Sequence, residues 1–359
     1  MKCFDFVIIG GGIAGLLMAY ELGEFNTLLI DKEGVLKKAS GAAGAFLFPK
    51  VGFNTKYTEF INNGIVEAVN FYKSVGINTN TKGVLILPRD KRDIEKFKKY
   101  EKEITLPFKK MDGGFFFEIG SVVDPSEVRE KIKVNFKKME VKKIYKRKNW
   151  IINDELEAKN LILATGYESV IDIPYIKIRP IWGERIESSN YKADGNLDIF
   201  YHKNCSVGEI DGVLKIGATH KRDCLECREN LEEAYELIKK ANEIIKIEEF
   251  EIEDIKGGFR ASSIDYFPVI GKIINIEMLL EHKHIVKGEI PKEFDYVDGL
   301  YVINGMGARG FSNAVVCARA LKNHILENKD LGILDSKRLF IKWARREGEK
   351  FLKEINAKG

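Results

Sequence analysis

The stretch that most narrows the possible folds is VIIGGGIAGL, which carries Gly10-x-Gly12-x-x-Gly15. An apolar run from Phe4 to Ile9 precedes it, and a helix-forming run from Ile13 to about Leu22 follows. A second strand-like run, Thr27 to Ile30, then ends in Asp31. Strand, glycine turn, helix and strand in that order make one βαβ unit. Gly10 permits the tight turn, Gly12 lets the backbone approach a pyrophosphate, and Gly15 lets helix and strand pack closely. The phosphates then lie at the helix N-terminus, where Ile13 and Ala14 begin the helix. Asp31, 21 residues after Gly10 and followed by Lys32, falls where a carboxylate holds an adenosine ribose hydroxyl. A dinucleotide is the expected ligand.

The chain of 359 residues is long enough for about two domains. Lysine and arginine number 58 against 54 acidic residues, so any basic footprint for a nucleic acid must be local. The five cysteines (Cys3, Cys205, Cys224, Cys227, Cys317) are odd in number and scattered, unlike a secreted disulfide framework, and a cytoplasmic location is expected. The N-terminal run FVIIGGGIAGLLMAY lacks a basic flank and is broken by glycines, so neither export nor a membrane span is expected. Cys224 and Cys227 stand near His220, but no second pair follows at zinc-site spacing, and no metal is expected.

Further along, a helix is expected from about Thr58 to Val75, an exposed charged helix within RDKRDIEKFKKYEKEI, and a helix start at Asp124-Pro125. From Arg179 to about Ile255 the pattern becomes alternating strands such as LDIFYH and GVLKIGATH, with one helix from about Arg228 to Ala241. That reads as a separate antiparallel sheet. Dinucleotide-type elements return at GLYVINGMGARGFSNAVVCARALKNHIL.

Three segments favour a flavin dinucleotide over a nicotinamide one. LILATG is an apolar strand ending in Thr165-Gly166, a recurrent feature of FAD-binding chains. KKASGAAGAFLFP places Ser40, Gly41, Ala42 and Ala43 where a backbone passes close to something bulky. INGMGARGFSNA sets Gly305, Met306, Gly307, Ala308, Arg309 and Gly310 before a helix expected at about Phe311. A reduced flavin carries negative charge near N1 and the C2 carbonyl, and a glycine turn at a helix start presents free N–H groups to it, with Arg309 adding charge. The expected architecture is α/β, α+β overall. A discontinuous FAD-binding Rossmann-like domain covers 1–78, 120–178, 256–275 and 297–359, and a second, mostly antiparallel-sheet substrate domain covers 79–119, 179–255 and 276–296.

Arg260, in GFRASSIDYFPVIGKI, falls at the expected junction of the domains, where a guanidinium can hold a carboxylate in bidentate fashion. Together, VIIGGGIAGL, LILATG, GFRASSIDYFPVIG and LYVINGMGARGFSNAVVCARAL resemble the FAD-dependent amine and amino acid oxidases, the superfamily of D-amino acid, glycine and sarcosine oxidases. Within it, ASGAAGAFLFP, RPIWGERI, GVLKIGATH and LDSKRLFIKWARR resemble, in order, the C-terminal oxidoreductase half of bacterial bifunctional tRNA-modifying enzymes of the MnmC type. The methyltransferase half has no counterpart in this sequence, and a stand-alone oxidase is expected, with a separate methyltransferase acting on its product.

The resemblance implies oxidative removal of the glycine-derived arm of carboxymethylaminomethyl-uridine in the tRNA anticodon loop. Hydride passes from the N–CH2–COO⁻ carbon to flavin N5, and water hydrolyses the imine. It assigns the substrate carboxylate to Arg260; Arg309 is expected as a further substrate-binding residue. The chain departs from the pattern at Ala42, Ala43 and Gly44, which match the glycine oxidase style, and at Glu184, where a glutamine is common. A small-molecule amine oxidase and a flavin-binding subunit of a larger dehydrogenase are the alternatives. For tRNA, the C-terminal cluster Arg338, Lys342, Arg345 and Arg346, beside Phe340 and Trp343, offers phosphate contacts and a stacking ring.

Overall fold

The computed structural model describes residues 1–356. Its first sheet has eight strands, in the order Val269–Ile274, Tyr296–Asn304, Leu156–Leu163, Lys2–Ile9, Thr27–Asp31 and Phe136–Lys138, with Trp150–Ile152 and Ile144–Lys146 appended beside Leu156–Leu163. Lys2–Ile9 runs parallel to both neighbours, Leu156–Leu163 and Thr27–Asp31. Its residues divide between two cores. Phe6 and Ile8 pack with the helices Ile13–Glu21, Lys56–Ser74 and Gly310–Glu327, while Phe4, Val7 and Ile9 face a core that includes Trp343 and Phe340 of the helix Lys337–Asn356. Burial on both faces is what a central parallel strand requires, and it explains why FVII reads as unbroken apolar sequence rather than alternation.

The second sheet has nine strands and is mostly antiparallel, running from Lys221–Arg222 through Ile178–Ser188, Val213–Gly217, Ser206–Ile210, Phe200–His202, Val84–Ile86 and Gly114–Phe117 to Lys109–Met111. Asp254–Ser263 pairs with Ile178–Ser188 from Ile178↔Ser263 to Glu187↔Asp254. The helix Leu231–Asn242 covers one face, and an aromatic cluster of Phe48, Phe97, Phe115, Phe117 and Phe200 fills the other. The mixed α/β architecture with one dinucleotide-type sheet and one antiparallel sheet is the expected fold class.

Two segments lie elsewhere than expected. Asp254–Ser263, placed by sequence largely in the nucleotide-binding domain, belongs to the second sheet, because its backbone ladder is with Ile178–Ser188. Residues 276–296, placed in the substrate domain, put Met278, Leu279 and Ile285 into the core beneath the first sheet. Helix starts follow the caps: Thr55 accepts the Thr58 N–H at 3.2 Å, Asp90 the Asp93 N–H at 2.8 Å and Asp124 the Ser126 N–H at 2.6 Å. The helix expected from Arg228 begins at Leu231 because Asn230 is the cap, accepting the Glu233 N–H at 2.9 Å.

Candidate active site

A cleft of about 580 Å³ runs from the carboxyl ends of the first sheet's strands to the second sheet. At one end the glycine turn leaves Lys2–Ile9 with Gly10 at φ +115°, in the left-handed region, where a Cβ would strike the Ala164 carbonyl. A Cβ on Gly15 would fall 1.9 Å from the Gly10 carbonyl oxygen, so this glycine is what lets the helix Ile13–Glu21 seat against the turn. Gly12 differs: its nearest neighbour on that side is Ser40 Oγ at 3.4 Å, and its face opens on the cleft. Ser40 Oγ also accepts the Ile13 N–H at 3.0 Å, which ties the Ala39–Ala42 turn to the helix N-terminus.

Asp31 accepts N–H bonds from Gly11 (2.7 Å), Glu33 (2.7 Å) and Gly34 (2.9 Å). A carboxylate offers about four acceptor positions, so one remains for a ribose hydroxyl. Lys32 and Lys38 both pair with Glu168, at 2.9 and 2.5 Å, across this end of the cleft. Burial works against the Glu168 charge, but hydrogen bonds from the two lysines outweigh it and lower its pKa.

At the far end three chain segments meet. Asn304 donates to the Gly166 carbonyl at 2.8 Å and accepts the Gly305 N–H at 2.7 Å, binding the Thr165-Gly166 turn to the C-terminal glycine turn. Gly305 and Gly307 hold φ +75° and +61°, a short 3-10 turn spans Gly307–Arg309, and the long helix starts at Gly310. Arg309 donates from Nη1 to the Phe48 carbonyl at 2.6 Å. The third segment is the strand of Arg260. On its cleft-facing side Gly258 lies flat against the Ala39 backbone, and the Arg260 guanidinium lies over Gly183 of the paired strand, occupying the space a Cβ there would need.

Arg260 donates from Nη1 to the Thr219 carbonyl at 3.0 Å, and no carboxylate pairs with it among the described residues. Burial alone pulls its pKa down to about 10. Protein encloses the group, yet it keeps some exposure because it lines the cleft. An enclosed cation without a counter-ion is unfavourable unless an anion is to be bound.

Of the residues singled out from sequence, Gly10, Gly12, Ile13, Ala14, Asp31, Lys32, Ser40, Ala42, Ala43, Thr165, Gly166, Arg260, Met306, Gly307, Ala308, Arg309 and Gly310 line this one cleft. Gly15, Gly41 and Gly305 lie beneath it, packed on Gly10, Leu36 and Ser263. These residues fit an extended dinucleotide. An open backbone face at Gly12 and a helix start stand beside the Asp31 carboxylate, and Ala43, Phe46 and Met306 line the rest of the cleft.

Sequence reasoning missed Gly183, Thr219 and Asn304, because their roles come from strand pairing across the two sheets. Gly183→Ala is expected to displace the Arg260 guanidinium, lowering kcat/KM by about 10- to 100-fold while FAD stays bound. Steady-state kinetics beside the flavin absorbance would check this.

Two sequence expectations need correction. Cys224 and Cys227 form a disulfide in the loop before the helix Leu231–Asn242, where sequence gave no reason to expect a pairing; among the described residues no metal-ligand cluster occurs. In the C-terminal cluster, Phe340 is fully buried and Trp343 is 9% exposed, both in the core, so neither can stack on a base. Arg338 is spent on Asp265, donating from Nε and Nη2 at 2.9 and 3.1 Å. Lys342, Arg345 and Arg346 remain exposed on the same helix, whose apolar face docks on the sheet.

Known proteins resemble this chain in sequence and fold. Among curated relatives, the tRNA 5-methylaminomethyl-2-thiouridine biosynthesis bifunctional protein MnmC of Legionella pneumophila (strain Lens) is 26% identical over 92% of this chain and 55% of its own length. That of Campylobacter jejuni (strain RM1221) is 26% identical over 88% and 54%. The chain thus spans about half the length of these relatives. The crystal structure of glycine oxidase from Geobacillus kaustophilus superimposes with a TM-score of 0.73 at 15% identity, covering 92% of this chain and 96% of that one. No helix among the described residues is long and apolar enough to cross a membrane. The family profile described as DAO, FAD dependent oxidoreductase, matches residues 5–323, so the chain belongs to that family of FAD-dependent oxidoreductases, with FAD as its cofactor.

Proposed function

We propose that the chain oxidatively removes the carboxymethyl arm of carboxymethylaminomethyl-uridine at the tRNA wobble position, leaving aminomethyl-uridine and glyoxylate. The observation that carries this reading is Arg260, a guanidinium enclosed at the cleft without a carboxylate partner. The MnmC relatives, whose name places them in tRNA 5-methylaminomethyl-2-thiouridine biosynthesis, support the choice of substrate.

FAD supplies the two-electron acceptor. The chain's own residues orient the substrate. Thr219 holds one guanidinium nitrogen and Gly183 leaves room for the planar group, so the remaining donors of Arg260 meet the substrate carboxylate in bidentate fashion. That fixes the methylene between carboxylate and nitrogen. The methylene loses a hydride, the nitrogen loses a proton, and a C=N bond forms; water then adds, and the C–N bond breaks to release glyoxylate and the primary amine. No side chain need form a covalent bond, and proximity supplies much of the rate. A separate methyltransferase would then act on the aminomethyl product.

Nucleoside mass spectrometry of carboxymethylaminomethyl-modified tRNA incubated with the FAD-loaded protein is expected to show conversion to aminomethyl-uridine. If glycine or sarcosine bleaches the flavin anaerobically while that tRNA stays unchanged, the chain is a small-molecule amine oxidase instead.

A further inference from the structure

Arg260 accounts for one anion, yet the same end of the cleft holds more positive charge than one carboxylate needs. Lys50 follows Phe48 and Pro49, and the Phe48 carbonyl is the group that fixes Arg309. Lys50 is pinned through its backbone: its N–H donates to Asn62 Oδ1 at 2.8 Å and its carbonyl accepts from Asn62 Nδ2 at 3.2 Å. Asn62 is buried in the helix Lys56–Ser74. The Lys50 ammonium lies 5.8 Å from the centre of the Tyr57 ring. Among the described residues no carboxylate pairs with Lys50 or Arg309. Arg89 is exposed and lies two residues past Leu87, whose N–H donates to the His202 carbonyl; its Nε sits 2.7 Å from Asp93.

We propose that Lys50 and Arg309, with the exposed Arg89, form a second anion subsite that grips a backbone phosphodiester next to the substrate nucleoside. The proposal rests on the tRNA reading above and names what that site grips besides the carboxylate.

The three cations stand around Phe48 and His202. Arg309 donates to the Phe48 carbonyl, and Lys50 lies two residues further on. The Phe48 and His202 ring centres are 6.3 Å apart, and the His202 carbonyl accepts the N–H of Leu87, two residues before Arg89, at 2.9 Å. His202, on the cleft wall, has its pKa pushed down to about 4 by burial first and then by Arg309, Arg89 and Lys50. It is therefore neutral near pH 7, and its Nδ1 lies 3.0 Å from Ser206 Oγ. Lys50 is pulled down by burial and then by the same two arginines. Gathering like charges where water is scarce raises the energy of the folded chain, and an anion seated among them reverses the sign of that term.

The cofactor's pyrophosphate has its own place at the helix start, beside Gly10, Gly12 and Ile13. The substrate carboxylate is held by Arg260. Rings stand beside the charges: Tyr57 under Lys50, and next to it Tyr266, 51% exposed. Point charge with an accessible aromatic face is the chemistry that receives a single-stranded nucleotide in a loop.

The test uses the FAD-loaded full chain and a fluorescein-labelled RNA anticodon stem-loop, with anisotropy measured across a salt series. Lys50→Met and Arg89→Met are each expected to raise Kd about tenfold at low salt and to reduce the slope of log K against log[salt] by about one. Lys50→Arg is expected to restore most of both. Flavin absorbance and Tm identify any variant that fails to fold, and Arg89→Met, at an exposed position, provides an independent reading. Parent-like slopes in both methionine variants, with the parent binding RNA, overturn the subsite and leave the tRNA reading standing. A parent protein that shows no salt-dependent RNA binding overturns both.

Discussion

Arg260→Ala is expected to bind FAD with the parent's yellow spectrum and to lose about 10³-fold in kcat/KM. Two charge-assisted hydrogen bonds to a carboxylate are worth about 1.5 to 3 kcal/mol each, and about 4 kcal/mol corresponds to three decades of rate. The loss falls on transition-state orientation as well as on binding, because the carboxylate is the handle that sets the methylene. Thermal stability should not fall with it. The wild-type guanidinium is enclosed without a counter-ion, so removing it relieves an unfavourable burial, and Tm should equal or exceed the parent's. Anaerobic flavin reduction traces and a melting curve on one preparation would check both halves. An unchanged catalytic efficiency would take Arg260 out of the site.

The second large effect separates two glycines that a motif treats alike. Gly15→Ala is expected to lose about 3 kcal/mol or more of stability together with FAD uptake, since its Cβ would fall 1.9 Å from the Gly10 carbonyl oxygen and either the helix or the turn must move. Gly12→Ala should fold with a Tm near that of the parent without FAD, because only Ser40 Oγ, at 3.4 Å, borders the new methyl group. Its loss should appear in FAD affinity, where the methyl projects into the cleft. Denaturation of both variants with and without added FAD measures the difference. Equal stability losses would show that the two glycines serve the same purpose.

The first sheet was legible because its constraint is local: a strand, Gly10-x-Gly12-x-x-Gly15, a helix and Asp31 lie within one unit of chain. The resemblance extended this to the Thr165-Gly166 and Gly305–Gly310 turns, which Asn304 joins in the structure. What sequence could not show depends on pairing between distant strands. Gly183 matters only because it lies beside Arg260 once Ile178–Ser188 and Asp254–Ser263 form their ladder. The C-terminal helix misled because Arg338, Phe340 and Trp343 have the composition of an RNA surface and the spacing of a docked helix; burial decides between them.

The strand bearing Arg260 ends at Ser263 in the second sheet, and six residues later the same chain enters the first sheet at Val269. Within that strand, Ser262 forms an isolated bridge with Met306 of the C-terminal glycine turn. Arg260 is thus built into the seam, and any hinge rotation of one sheet against the other would shift it relative to the first sheet's side of the cleft. If the substrate is the proposed tRNA, it would have to stay outside the seam and extend only its modified uridine inward.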